Sequence, residues 1–276
     1  MTAGPDLTRR DDYLDDRRLL HRLGYAQELF RVMGGFENFA ISFTIISVLA
    51  GTLTSYFIAF NNGGPVAITW GWLLVGAFST VIAVAMGEIA SAFPTAGGLY
   101  YWASRLGGAG WGWFTGWFNL VGQIAVTAAI DYGAAIFVTA LLDLWFGYPN
   151  TTGWIFVTYS AIVALHLLLN MFSVRFNANL NRVSAGWHMI GVLVLVVILA
   201  VVPDDHQSVG FVFGETINNS GFSGQNFTHA AFWFVFGIGL LMSQYTINAW
   251  DASAHMSEET RQASRTAALG MVMAVV

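Results

Sequence analysis

The chain has 276 residues, of which 56% are hydrophobic, 15% aromatic and 10% charged, with a mean hydropathy of +0.60. Soluble domains carry about 25% charged residues, so a chain this apolar reads as an integral membrane protein and not as a water-soluble enzyme. The absence of cysteine excludes disulfide frameworks, thiol nucleophiles and Cys-ligated metals, and a net charge of −5 argues against a nucleic-acid partner.

Residues 1–35 alternate acidic and basic pairs (Arg9-Arg10-Asp11-Asp12, Asp15-Asp16-Arg17-Arg18). They lack the apolar run and small-residue cleavage site of a signal peptide and predict a solvated cytoplasmic tail with one surface helix. A transmembrane core is expected over 36–276. Its spans lie near 39–60, 66–87, 110–142, 153–174, 183–202 and 230–250, each long enough for a hydrocarbon layer of roughly 30 Å. A seventh begins near Ala267 and reaches only Val276. Ten residues do not cross a bilayer, so the chain is expected to be a fragment of a longer protein or a truncated product.

The first span is small and polar in its middle: Ser42, Thr44 and Ser47, then Ala50-Gly51-Thr52 and Thr54-Ser55. The sixth is similar, with Gly237 and Gly239 before Gln244-Tyr245-Thr246-Ile247-Asn248. Two arrangements fit. Small residues allow ordinary helices to pack closely; alternatively both helices are discontinuous, and freed amides and carbonyls bind ions near the midplane. The third span carries Asn119, Gln123, Thr127 and Asp131 at spacings of four, a polar stripe down one face. Its neutral members suit interhelical hydrogen bonds, whereas a carboxylate at that depth suits an ion site, a proton site or a gate. His166 and His188 lie in the fourth and fifth spans. Packing suffices for His166, beside Asn170; His188 follows Ser184 by one turn and is a candidate for sharing a cavity with it.

Sidedness follows from the basic residues, all eleven of which are arginine. With the tail inside, the inner segments 88–109, 175–182 and 257–266 hold Arg105, Arg175, Arg182, Arg261 and Arg265, and the outer loops 61–65, 143–152 and 203–229 hold none. That is the positive-inside pattern. It predicts a multi-pass protein of the cell membrane with its N-terminus in the cytoplasm. Asn-x-Ser/Thr sequons at Asn150, Asn218 and Asn226 all fall in outer loops. No HExxH, GxSxG or P-loop occurs, so no catalytic residue, metal site or cofactor is expected.

The stretch Gly87-Glu88-Ile89-Ala90-Ser91-Ala92-Phe93-Pro94-Thr95-Ala96-Gly97-Gly98-Leu99-Tyr100-Tyr101-Trp102 resembles the signature loop of the amino acid–polyamine–organocation permeases. Gly112-Trp113-Phe114-Thr115-Gly116-Trp117, Ala249-Trp250-Asp251 and Ser257-Glu258-Glu259-Thr260 match in the expected order. Ile130-Asp131-Tyr132-Gly133 and Ala254-His255-Met256-Ser257 resemble the amino acid/choline branch, which includes GABA permeases.

The resemblance implies an all-α inverted-repeat transporter fold, here the first five-helix repeat, helix six and the start of helix seven. It implies a secondary transporter of an amino acid, GABA or another neutral one, driven by protons or exchange. Choline and polyamine permeases, and a non-transporting permease-like subunit, are the alternatives. Carried over by position, the break in helix one falls at Ser47, Val48 and Leu49, running to Gly51, where amides meet the substrate carboxylate. The break in helix six falls at Tyr245, Thr246 and Asn248, where carbonyls meet the amine, and helix three adds Gly122, Gln123 and Thr127. Glu88, Asp131, His188 and Asp251 are the coupling or gating candidates. Oligomeric state is left open.

Overall fold

A computed structural model of the chain describes residues 7–46, 48–171, 174–224 and 228–276. Among these the fold is all-α. It comprises α1 (Leu7–Arg22), α2 (Gly35–Ile45), α3 (Val48–Asn61), α4 (Pro65–Ala92), α5 (Gly98–Gly107), α6 (Ala109–Phe146) and α7 (Thr152–Asn170). Then come α8 (Val174–Val201), α9 (Val209–Gly214), α10 (Ala230–Gly239), α11 (Leu241–Thr246), α12 (Ala252–His255) and α13 (Ala263–Val275). Five stretches are long and apolar enough to cross a bilayer: Gly35–Asn61, Pro65–Ala92, Ala109–Phe146, Thr152–Asn170 and Asn179–Val201. Ala230–Thr246 and Ala263–Val275 are apolar and shorter.

The ends of these helices follow from local chemistry. Pro65 opens α4, where its fixed φ suits the first turn and its missing N–H costs nothing. At the other end Phe93, the residue before Pro94, leaves helical geometry (φ −130°, ψ 68°), as the proline ring disfavours the α region for its predecessor. The Glu37 carboxylate accepts a hydrogen bond from the Gly34 amide at 3.0 Å, fixing the start of α2. Gly147 ends α6 in the left-handed conformation, its amide donating to the Asp143 carbonyl at 2.9 Å.

Hydropathy alone extends the sixth span to residue 250, whereas the helix stops at Thr246. Ile247 leaves helical geometry (ψ 64°) and Ala249 adopts φ +56°, so residues 247–251 form a non-helical link to α12. The first span is also interrupted, because Ile46 has ψ 82°. Ser47 lies outside the described residues.

The chain forms two compact units. The first comprises residues 1–98 and 181–276, the second residues 99–180. In the first, α13 packs on α4 and α2, and α11 packs on α3. Small buried residues, Ala83 and Gly87 of α4 with Ala267 and Gly270 of α13, let these backbones approach. Val66, Ala67, Phe232 and Phe236 form an apolar cluster where α4 meets α10. The link after α9 lies across the α3–α4 turn: Gly63 donates to the Ile217 carbonyl at 2.8 Å, and Asn219 to that of Asn61 at 2.9 Å. In the second unit α6 packs on α7, joined by a Thr139–Thr158 hydroxyl hydrogen bond of 3.0 Å.

The tail is tied down. The Asp16 carboxylate accepts from the Gln262 and Ala263 amides at 2.7 and 3.1 Å, capping α13. It also pairs with Arg31 at 3.7 Å. The buried Arg31 guanidinium donates to Gln27 Oε1 and the Ser257 carbonyl, each at 2.8 Å, and to the Thr260 carbonyl. Met33 and Thr260 form an isolated parallel bridge.

Candidate functional site

Two interrupted helices cross in the first unit. A Cβ on Gly51, in the first turn of α3, would stand 2.9 Å from Thr246 Oγ1 and 3.2 Å from its Cα. Only a hydrogen fits there, and Thr246 is fully buried. The first amides of α3 and the last carbonyls of α11 have no partner within their own helices. The crossing therefore sets the positive end of one helix beside the negative end of another. An anionic group suits the former and a cationic group the latter, so the junction is chemically matched to a zwitterion. Thr52 Oγ1 in α3 is buried without a hydrogen-bond partner among the described residues, and so is Ser243 Oγ in α11. Both leave polar capacity unused close to the crossing.

Of the other residues expected here, Val48 and Leu49 form the first turn of α3, and Leu49 reaches toward Gly191 of α8. Tyr245 is half-buried; Asn248 is exposed, and its Oδ1 accepts from the Ala249 amide at 2.7 Å, closing a local turn. Thr246 Oγ1 donates to the Met242 carbonyl at 2.9 Å. Gly122, Gln123 and Thr127 are exposed on α6 in the second unit.

Below the crossing, α2 is held to the link before α12 by a fully buried polar network that hydropathy does not reveal. Ser42 Oγ donates to the Trp250 carbonyl at 2.6 Å and lies 2.7 Å from Ser253 Oγ. Asn38 Nδ2 donates to the Ser253 carbonyl at 2.9 Å and to Thr260 Oγ1 at 3.0 Å. The available signal was the spacing of Asn38 and Ser42, one turn apart, the same spacing that marks the stripe on α6.

The signature loop docks on the far side of this network. Glu258 Oε1 accepts from the Ala96 amide at 3.0 Å, and His255 Nδ1 lies 3.2 Å from the Ala96 carbonyl. Gly98 has φ +46°, and a Cβ there would meet the His255 ring at 2.6 Å. Asp251 pairs with His255 Nε2 at 3.4 Å. That hydrogen-bonded carboxylate raises the His255 pKa against the opposing effect of burial. Burial pushes the Glu259 carboxyl above its ordinary range. Glu88 is exposed on α4, beside a cavity of about 390 Å³ lined by Gly87, Ser91, Ala268 and Val272.

Two histidines depart from expectation. His188 stands edge-on to Phe43 of α2 with ring centroids 5.6 Å apart, and its Nε2 is buried without a hydrogen-bond partner among the described residues. Ser184 is exposed, so the cavity suggested by their spacing does not form. His166 does more than pack: its Nδ1 lies 3.1 Å from Asp131 Oδ1 across α6 and α7. A lone carboxylate at a helix centre in the bilayer costs about 2.5–3.5 kcal/mol, and the imidazole offsets part of this.

Among the described residues no group of three or more His, Cys, Asp or Glu could hold a metal ion. Five apolar stretches of spanning length define a multi-pass membrane protein. The model of the amino acid permease family matches residues 34–276, and the chain belongs to that family, within the amino acid–polyamine–organocation superfamily. It is 41% identical over 268 residues to the amino-acid permease BAT1 homolog of Oryza sativa subsp. japonica, covering 93% of this chain and 50% of that protein. The amino-acid permease BAT1 of Arabidopsis thaliana is 39% identical over 266 residues, covering 93% and 51%. The GABA-specific permease of Saccharomyces cerevisiae is 27% identical over 274 residues, covering 95% and 46%. The chain thus spans about half the length of the curated relatives it matches. No solved structure matches it.

Proposed function

We propose that the chain carries the substrate-site half of a secondary active amino acid permease in the cell membrane. Its substrate is GABA or another neutral amino acid, moved by alternating access and driven by protons or by a counter-substrate. Residues 1–35 form the cytoplasmic tail and 36–276 the transmembrane core. The observation that carries this reading is the Gly51–Thr246 crossing, where the start of α3 faces the end of α11. The amides at Leu49 and Gly51 take the carboxylate beside Val48, whose own amide donates to the Ile46 carbonyl at 3.0 Å; the carbonyls near Tyr245 and Thr246 take the amine, and Tyr245 covers them. Gly122, Gln123 and Thr127 of α6 are carried as substrate-binding residues by their positions in the sequence alone. Glu88 and Asp251 act at its inner gate.

A polyamine lacks the carboxylate that α3 is suited to accept, and choline lacks it too. Uptake of labelled GABA, alanine, choline and putrescine by cells expressing the protein as its gene encodes it tests the reading. GABA or alanine is expected to accumulate, and Gly51→Val to cut uptake by about tenfold or more, equivalent to about 1.4 kcal/mol. Surface abundance should stay unchanged. Uptake of choline or putrescine alone would overturn the substrate class, and no uptake of any would favour the non-transporting subunit.

A further inference from the structure

We propose that Asp131 and His166 form the proton-carrying couple of the transport cycle, a role that rests on the permease reading above. Asp131 is the only acidic or basic side chain in residues 106–142, and His166 the only histidine, in a charge-free stretch, of residues 144–174. These two groups, 35 positions apart, meet at 3.1 Å across α6 and α7. Asp131 is 5% exposed, while the His166 side chain is 51% exposed. The couple therefore has one member buried between the two helices and one at the surface of their pair.

Among the described residues 106–142 and 144–171 no other side chain is charged. The packed helices α6 and α7 bring Tyr132 and Tyr159, ring centroids 6.1 Å apart, as the adjacent titratable groups. Asn170 donates to the His166 backbone carbonyl at 2.8 Å, leaving the ring nitrogens free of that amide. The proton balance is simple. With the imidazole neutral and Asp131 ionised, the couple carries one negative charge between apolar helices. Binding one proton gives an imidazolium–carboxylate pair, or a carboxylic acid beside a neutral ring, and either is neutral overall. No bond other than the one to the proton forms or breaks. A charge that appears and disappears at a helix–helix contact favours different packings in the two forms, which is what coupling requires.

The test uses proteoliposomes of the native protein loaded with GABA or alanine, read in two modes: counterflow without a pH gradient, and accumulation driven by an inside-alkaline gradient. Wild type is expected to perform both, with a protonophore abolishing only the second. Asp131→Asn should lose gradient-driven accumulation by about tenfold or more and keep counterflow. His166→Gln should flatten the pH profile of accumulation. Gradient-driven accumulation by Asp131→Asn at the wild-type level overturns the proposal. So does parallel loss of both modes in a variant that remains monodisperse in detergent. Wild-type counterflow that ignores pH gradients overturns the proposal and leaves the permease reading standing, whereas absence of counterflow in wild type sinks the permease reading itself.

Discussion

Gly98 shows how a single hydrogen atom can hold two distant motifs together. Its backbone is left-handed and its missing Cβ makes room for His255, which in turn lies between Asp251 and the Ala96 carbonyl. Gly98→Ala combines backbone strain with a clash against a ring held on both sides. It should cost about 1–3 kcal/mol, and Tm in detergent should fall by about 2–4 °C for each of these. His255 also predicts a pH dependence. Its pKa is raised on folding, so the stability it contributes is complete below its ordinary value of 6.5 and is lost as pH rises through the raised value. Asp251→Asn should flatten the fall in Tm above pH 6.5, measured by nanoscale scanning fluorimetry. Glu259 acts in a lower window. Burial raises its pKa from 4.5, and its Oε2 has no hydrogen-bond partner among the described residues, so ionisation works against folding as pH rises past 4.5. Glu259→Gln should raise Tm at pH 7 and leave Tm at pH 4 nearly unchanged.

At the scale of elements, the tail helix α1 is held by what it caps. Removing a capping carboxylate costs about 1 kcal/mol, and Asp16→Ala also strips a buried guanidinium of its ionic partner. The loss should therefore exceed that of a simple cap. Limited proteolysis should cut the region of α1 and α13 faster in the variant, and equal rates would contradict this. These tail contacts were not legible in the sequence, because Asp16 looks like any member of a solvated charge run. The interrupted helices were more legible. Small and polar residues around Ser47–Gly51 and Tyr245–Asn248 marked the regions, and non-helical backbone falls at Ile46 and over 247–251. Neither contains a proline, so hydropathy could not give their extent. In helix six that extent is set by an asparagine-closed turn and the positive φ of Ala249. The Asp131–His166 pair was hidden for another reason: each residue was visible, but their meeting depends on how α6 and α7 are rotated about their axes.

For the whole molecule, the arginine distribution and the cysteine-free sequence make orientation directly measurable. Single cysteines at His21 and Arg265 should be labelled by a membrane-impermeant maleimide only after permeabilisation, and those at Asn150 and His206 in intact cells. The reverse pattern would invert the topology. Asn218 is a poor glycan acceptor even if it lies outside. Its Nδ2 is committed to the Phe222 and Gly224 carbonyls, both at 2.9 Å, whereas Asn150 is exposed.

The bond from Arg31 to the Ser257 carbonyl spans 226 positions of sequence. During synthesis the tail leaves the ribosome well before its docking partners at 257–263 are made. At 5–20 residues per second that interval is roughly 11–45 s. Through all of it Arg31 and Asp16 stay hydrated while the intervening spans enter the bilayer. Docking of the tail therefore has to wait until the segment joining the sixth and seventh helices has been made. Pulse-chase proteolysis of a tag on the tail would time that closure.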